Sequence, residues 1–349
     1  MAPKFTKLRP LGKNGPLVPA IGYGMMVMTS PSYGASLEDD QRLALLDRAV
    51  EIGATFWDTA DMYGDNEKLL AQWFKRSGKR DQIFLASKFG YVKGSHTLEI
   101  DTSAAYTKKA CYSTLENLGI EYLDLSNAAL DYVHNVDKVT PIEETMRALV
   151  ELQAEGKIKH IGLSVVSSST IRRAAKIAPI TAYQPGYSLF ERLIEGPEGT
   201  HALATCRELG IAIVCATPLG RGILTSGFSQ GKAIGAEADI REKMMPQFQD
   251  GAKEHNADLA RQIKIVADRK GCSLSQLALA WLLKQGDDIF PIPGTKRIKY
   301  LEDNMGALDV NLTDEEEAEI RALVEKTPVV GSSVPDAFTG MLFRDTKEE

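Results

Sequence analysis

The stretch Phe56-Trp57-Asp58-Thr59-Ala60-Asp61-Met62-Tyr63-Gly64 reads as the end of a strand running into a turn. Thr55 to Trp57 form the strand candidate, Asp58 closes it, and the turn carries Tyr63 just beyond. Asn66 to Arg76 then has helical spacing, and Ile83 to Ser87 is the next apolar strand, ending at Lys88. Strand, helix and strand within about 35 residues make a βαβ unit, which lays its two strands parallel.

The same rhythm extends in both directions. Upstream lie a short apolar run, Ala20 to Tyr23, and a helix over Leu37 to Ile52 with Leu43, Leu45, Leu46, Ala49 and Val50 on one face. Downstream come a helix at Ala104 to Leu118, a strand starting over Tyr122 to Leu125, a helix at Ile142 to Glu155 and a strand at Ile158 to Leu163. A helix at Ser169 to Ile177, a strand at Ile180 to Gln184, a helix at Ala202 to Leu209 and a strand at Ile211 to Ala216 follow. Helices at Ala257 to Lys270 and Ser275 to Lys284, a strand at Ile289 to Ile292 and a helix at Ile298 to Ala307 complete the series. About eight strand–helix units at a period of roughly 25–35 residues favour a closed (β/α)8 barrel, the TIM barrel, over an open sheet.

No Pro/Ser-rich linker divides the 349 residues, so one domain is expected over 1–349, with the barrel at about 18–310 and a C-terminal helix and tail at 313–349. Leu11-Gly12-Lys13-Asn14-Gly15 carries an Asn-Gly turn signal and is expected to form an N-terminal hairpin under the barrel. Two segments break the rhythm. Thr225 to Asn256 is rich in Gly, Gln and charge, and the tail Lys326 to Glu349 carries Val329, Val330, Phe338, Met341, Leu342 and Phe343. Each is either a loose connector or a cover for the pocket.

A net charge of −6 argues against a general nucleic-acid or anionic-membrane partner, which would call for basic patches. No apolar run is long enough to span a bilayer, and Met1 to Pro10 is polar and basic, unlike a secretory signal. Cys111, Cys206, Cys215 and Cys272 lie far apart without a CxxC, so neither a zinc pattern nor a disulfide framework is expected. A cytoplasmic location fits this usage. Asn311-Leu312-Thr313 matches a glycosylation sequon, but Thr313 with Glu316 also makes a capping box for a helix from Asp314, and we read it so.

In a barrel the C-terminal ends of neighbouring strands share one mouth. Asp58, Tyr63 and Lys88 would meet there as a proton-transfer set, in which the lysine cation favours tyrosinate and lowers the tyrosine pKa. A second signal concerns phosphate. Thr217-Pro218-Leu219-Gly220-Arg221-Gly222 follows the seventh strand, and Pro293-Gly294-Thr295-Lys296-Arg297 follows the eighth, immediately before a helix. Backbone N–H groups with adjacent cations suit an anion there. Two such loops suggest a dinucleotide, and the Lys296-Arg297 pair a 2′-phosphate, hence NADP(H). A Rossmann fingerprint is missing, because Val27 stands where the third glycine after Gly22-Tyr23-Gly24 would be.

These segments, with Gly22-Tyr23-Gly24-Met25, Gly156-Lys157-Ile158-Lys159-His160-Ile161-Gly162-Leu163-Ser164 and Leu301-Glu302-Asp303-Asn304, resemble the aldo-keto reductase family over nearly the whole chain. The nearest resemblance is to fungal aryl-alcohol-dehydrogenase-like and pyridoxal-reductase-like members. The resemblance implies a (β/α)8 barrel, an extended NADP(H) along its mouth and a tetrad of Asp, Tyr, Lys and His. Asp58, Tyr63 and Lys88 match directly. It implies that Gly24, Met25 and Asp58 adjoin the cofactor and that Ser164 and Gln184 hold the carboxamide. Thr217, Pro218, Leu219, Gly220 and Arg221 would line the pyrophosphate. Gly294, Lys296, Arg297, Tyr300, Asp303 and Asn304 would surround the adenosine phosphate. The chain departs from the family at Val165 (Asn or Glu in relatives), Ala216 (often a Tyr stacked on nicotinamide) and Gly186 (commonly Glu).

The fourth tetrad position has two readings. In one, Ser126 to Leu130 is an insertion that bulges out and Tyr132-Val133-His134 rejoins the strand, a match supported by Asn135-Val136-Asp137 and Thr140-Pro141-Ile142-Glu143-Glu144. In the other, the strand runs on through Asn127 and Ala128, Ala129 stands at the mouth and His134 lies on a longer loop. A five-residue insertion would reverse the facing of the strand, which tells against the first reading. We take His134. The expected activity is NADPH-dependent reduction of a small-molecule aldehyde or ketone, with Tyr63 giving the proton. The alternative is an NADP(H)-binding barrel with little turnover, acting as a regulatory or binding subunit.

Overall fold

The computed structural model describes residues 5, 7–29, 33–35, 37–95, 99–121, 123, 129–230 and 239–349. Strands β1 (Leu8–Pro10) and β2 (Leu17–Pro19) pair antiparallel, with Arg9 opposite Val18. Asn14 takes the positive φ of 60° that its turn requires. The Lys13 N–H donates to the Gly210 carbonyl at 2.7 Å, and the Arg9 guanidinium donates to the Gly286 carbonyl at 3.1 Å. Gly210 and Gly286 lie just ahead of two barrel strands, so the hairpin covers the end of the barrel where strands begin, as expected.

Eight strands make the main sheet: β3 (Tyr23–Gly24), β4 (Phe56–Asp58), β5 (Phe84–Phe89), β6 (Ala129–Val133), β7 (His160–Ser164), β8 (Ala182–Gln184), β9 (Ala212–Cys215) and β10 (Ile289–Pro291). They are parallel and lie in chain order, with helices between them. The first and last strands are themselves joined. The Gly22 N–H donates to the Pro291 carbonyl at 2.9 Å and the Gly24 N–H to the Pro293 carbonyl at 3.3 Å. A Cβ on Gly24 would collide with the Ile292 carbonyl, so this seam depends on glycine. The arrangement is the (β/α)8 barrel.

Successive strand residues face opposite sides. Phe56, Phe84, Ala86, Ala182, Ala212, Val214 and Phe290 fill the barrel interior together with Leu11 and Val18 of the hairpin. Trp57, Leu85, Ile161, Leu163, Tyr183 and Ile213 face outward into the larger core under the helices. Counting on by two from the interior set gives Asp58 after Phe56, Lys88 after Ala86 and Gln184 after Ala182. Strand parity therefore delivers three polar side chains to the interior at the C-terminal end.

The structure departs from the sequence expectation in several places. The strand expected to begin at Tyr122 is described from Ala129; Tyr122, Asp124, Leu125, Ser126, Asn127 and Ala128 lie outside the described residues. Ala129 pairs with Leu85, and Val133 with Phe89. Ala129 and Leu130 thus belong to the strand instead of bulging out, and Ala129 stands at the opposite end of β6 from the mouth. The helix expected from Ala257 begins at Asp250, because its first two turns are mostly polar and show no apolar stripe. Thr313 caps the helix Asp314–Lys326 reciprocally with Glu316, as expected.

The C-terminal tail is tied down along its length. Val330 exchanges hydrogen bonds with the Asn256 side chain, the Gln247 N–H donates to the Ser332 carbonyl, and Arg221 donates to the Ser333 carbonyl at 2.6 Å. Further on, the backbone of Arg344 pairs beside Val166 and its guanidinium donates to the Val136 carbonyl at 3.3 Å. These anchors follow β9, β6 and β7, so the tail runs along the mouth end. Within Thr225 to Asn256, residues 231–238 lie outside the described residues, and the described part includes short helices at Ser226–Ser229 and Arg241–Met244. Among the described residues, no helix is long and apolar enough to cross a membrane.

Candidate active site

Asp58 and Lys88 meet inside the mouth. Lys88 Nζ donates to Asp58 Oδ1 at 2.6 Å and to the Thr59 carbonyl at 2.6 Å, and Gln184 Nε2 donates to Asp58 Oδ2 at 2.7 Å. The turn after β4 is locked to β5: the Thr59 N–H donates to Ala86 and the Asp61 N–H to Lys88. The Tyr63 carbonyl accepts the Thr29 hydroxyl at 2.6 Å, which fixes the far end of the turn. Lys88 Nζ then lies 4.8 Å from the centre of the Tyr63 ring. His134, the residue after β6, donates its N–H to the Phe89 carbonyl at 2.7 Å. Its ring centroid stands 5.8 Å from that of Tyr63, edge to face. The structure therefore brings Asp58, Tyr63, Lys88 and His134 together.

Burial works against the Lys88 charge, but Asp58 and Tyr63 more than offset it, and its pKa lies above the usual lysine value. Burial raises the Asp58 pKa, opposed by Lys88 and Gln184. Tyr63 differs from expectation. Burial raises its pKa by more than the Lys88 cation lowers it, so the phenol stands above its ordinary value. Such a group keeps its proton at neutral pH. His134 is pushed well below the usual histidine value by burial and then by Lys88, so its imidazole is neutral. A neutral imidazole, a phenol holding its proton and a buried cation beside that phenol can together polarise and protonate an oxygen.

The proposed carboxamide partners lie side by side at the ends of β7 and β8, with the Ser164 hydroxyl donating to the Gln184 carbonyl at 2.7 Å. Met25 donates its N–H to the Asp58 carbonyl, which puts Gly24 and Met25 against the same group. Val165, a β-branched residue, is held at φ 53°, and Thr217 at φ 50°. Both values are strained for such side chains and flank the mouth. Pro218 and Gly220 are buried, while Leu219 is partly exposed. Arg221 donates to the Tyr33 hydroxyl at 2.6 Å, and Lys296 Nζ donates to the carbonyls of Tyr33, Gly34 and Ala35 at 3.2, 2.9 and 3.0 Å. Arg297 is exposed beside the Tyr300 ring, Gly294 is exposed, Asp303 accepts the Ser273 hydroxyl, and Asn304 is buried.

Some site residues escaped the sequence reading. Arg241, paired with Asp239, stacks over the Tyr33 ring and donates to the Arg221 carbonyl. Glu191 is brought back by the Ser188–Glu191 turn, and its carboxylate fills the space a Gly186 side chain would need. Tyr91 packs on His134 with ring centroids 5.3 Å apart. Neither Arg241 nor Glu191 lies in a recognisable motif, and only the adjacency of Tyr91 to Lys88-Phe89-Gly90 could have drawn attention to it.

The model for the aldo/keto reductase family matches residues 20–325. The NADP(+) aldo-keto reductase yakc of Schizosaccharomyces pombe is 44% identical over 333 residues, covering 94% of this chain and 95% of the relative. The aldo-keto reductase str7 of Strobilurus tenacellus is 40% identical over 336 residues, covering 95% and 96%. Among solved structures, a glycerol dehydrogenase of Gluconobacter oxydans matches with TM-score 0.79 at 24% identity, covering 94% of this chain and 97% of that one. A thermostable aldo-keto reductase in complex with the inhibitor epalrestat matches with TM-score 0.71 at 24% identity, covering 91% and 100%. The chain belongs to the aldo/keto reductase family.

Proposed function

We propose that this protein reduces an aldehyde or ketone to the alcohol at the expense of NADPH. The observation that carries the reading is the buried Lys88–Asp58 pair set against the Tyr63 ring, with His134 beside it. NADPH, when bound, supplies the hydride to the carbonyl carbon. Tyr63 holds the proton for the carbonyl oxygen, and its pKa above the ordinary phenol value keeps that proton in place at neutral pH. Lys88 stabilises the phenolate left behind, and Asp58 holds Lys88 in position. The neutral His134 orients the carbonyl by a hydrogen bond.

The residues present suit the cofactor. Arg221, Lys296 and Arg297 lie beyond β9 and β10 without an ion-pair partner among the described residues, and their donors are met by neutral oxygens where they are met at all. Such a set is suited to phosphate groups. Ser164 and Gln184 would meet the carboxamide, and Arg221 and Lys296 the phosphates.

The test is NADPH oxidation against a panel of aldehydes, ketones and pyridoxal, with Tyr63→Phe as the decisive variant. It should lose roughly 10²–10⁴-fold in turnover while binding NADPH as before. Full activity in Tyr63→Phe would remove that residue from the reaction. A second reading, a cofactor-binding barrel with little turnover, draws on the strained Val165 and on Ala216 in place of a stacking ring. NADPH binding with no oxidation across the panel would favour it.

A further inference from the structure

His134 stands between two tyrosines. Its ring centroid lies 5.8 Å from Tyr63 and 5.3 Å from Tyr91, and the planes of both tyrosines are nearly perpendicular to it, at 84° and 86°. Edge-to-face contacts of this kind are favourable and directional. His134 Nδ1 is buried and meets no hydrogen-bond partner among the described residues. A working imidazole is ordinarily turned by a hydrogen bond to its rear nitrogen. With none among the described residues, ring packing sets its angle.

We propose that Tyr91 is a positioning residue, which holds the His134 imidazole towards Tyr63 by packing against it. This rests on the roles given to Tyr63 and His134 above. Tyr91 is itself well fixed. Its backbone pairs with Ile100, its carbonyl accepts the Tyr106 hydroxyl at 2.9 Å, and the Asn135 side chain lies near its hydroxyl. Asn135 is buried, and its Oδ1 takes the Val136 N–H at 2.9 Å. Gly90 lets the two loops close. It sits at φ 126°, and a Cβ there would come within 2.9 Å of the Asn135 carbonyl. The loop after β5 and the loop after β6 therefore brace each other, with Tyr91 and His134 as the touching rings.

The experiment is a double-mutant cycle. Turnover of NADPH with an aldehyde the wild type reduces is measured for Tyr91→Ala, His134→Ala and the double variant, with NADPH affinity followed by fluorescence. Tyr91→Ala should lower kcat roughly 10- to 100-fold, as misplacement of a reacting group does, with NADPH affinity unchanged. Tyr91→Phe, which restores the ring, should regain most of that loss. In the His134→Ala background, removing Tyr91 should cost less than about twofold, because no imidazole remains to be held. An equal loss in both backgrounds, or wild-type kcat in Tyr91→Ala, overturns the proposal. Should Tyr91→Ala not fold, Tyr91→Leu fills the volume without the ring and enters the same cycle. If Tyr63→Phe is inactive and the cycle is additive, only the role of Tyr91 falls. If Tyr63→Phe is active, the reading of the site falls first.

Discussion

Lys88 Nζ lies 2.6 Å from Asp58 Oδ1, and the two side chains expose 0% and 4% of their area. A buried pair of this kind is costly to break, because the survivor is left as an uncompensated charge, typically at about 3–5 kcal/mol. Lys88→Met should therefore lower stability by that order in denaturant unfolding, as well as abolish reduction. Adding Asp58→Asn removes the orphaned carboxylate. The double variant should recover much of the stability and none of the activity. If Lys88→Met unfolds at the wild-type denaturant midpoint, the pair is not the buried ion pair described here.

Lys296 directs its ammonium to three backbone carbonyls, those of Tyr33, Gly34 and Ala35. A 2′-phosphate would meet this cation by taking the place of neutral oxygens, since among the described residues no carboxylate hydrogen-bonds Lys296, although Asp239 acts on it at longer range. NADPH should bind at least ~10-fold more tightly than NADH, about 1.4 kcal/mol, in a fluorescence titration. The double variant Lys296→Ala with Arg297→Ala should erase most of that preference. Equal affinities in the wild type, or an unchanged preference in the variant, would contradict the assignment.

The barrel was legible because its parity is local. Phe84, Ala86 and Lys88 alternate in plain view, and the same count leads from Phe56 to Asp58. The seam was not, since β3 has two residues and its bonding to Pro291 and Pro293 depends on backbone approach. At β6 two apolar stretches, Tyr122 to Leu125 and Ala128 to Val133, each suit a short strand. Pairing with β5 and β7 makes Ala129 to Val133 a strand, and that is long-range information. For Tyr63 the sequence named the cation that lowers its pKa, but burial, which here outweighs the cation, is a property of the packed site.

Asp61 supplies a pH test. It is buried, and burial lifts its pKa to about 7, with Glu67 adding and Lys93, Lys88 and the Met62 N–H opposing. The folded protein keeps this proton while the unfolded chain, near pH 3.8, gives it up. The contribution to stability is thus fully present below the unfolded value and is lost as pH rises through about 7. Asp61→Asn cannot titrate. Unfolding free energies of the two proteins should diverge from pH 4 upward in favour of the asparagine variant and level off above about pH 7, by on the order of 4 kcal/mol at most. A pH-independent difference between them would show that Asp61 ionises normally.

Gly186 and Glu191 allow the most specific test. The family commonly places Glu where Gly186 stands, and here a Cβ on Gly186 would overlap the Glu191 carboxylate. The Ser188–Glu191 turn, closed by hydrogen bonds in both directions at 3.0 and 3.1 Å, carries that carboxylate back, and its Oε2 accepts the Thr217 hydroxyl at 3.2 Å. If the carboxylate has been kept in place while its position in the chain has changed, it can be moved back. Glu191→Ala should weaken NADPH binding several-fold, since a charged hydrogen bond to Thr217 is worth roughly 1.5–3 kcal/mol and part of it bears on the cofactor loop. Gly186→Glu alone should also weaken it, because two carboxylates would crowd one space. Gly186→Glu combined with Glu191→Ala should bind NADPH close to the wild type. Additive losses in the double variant would mean that Glu191 fills the space without serving the site.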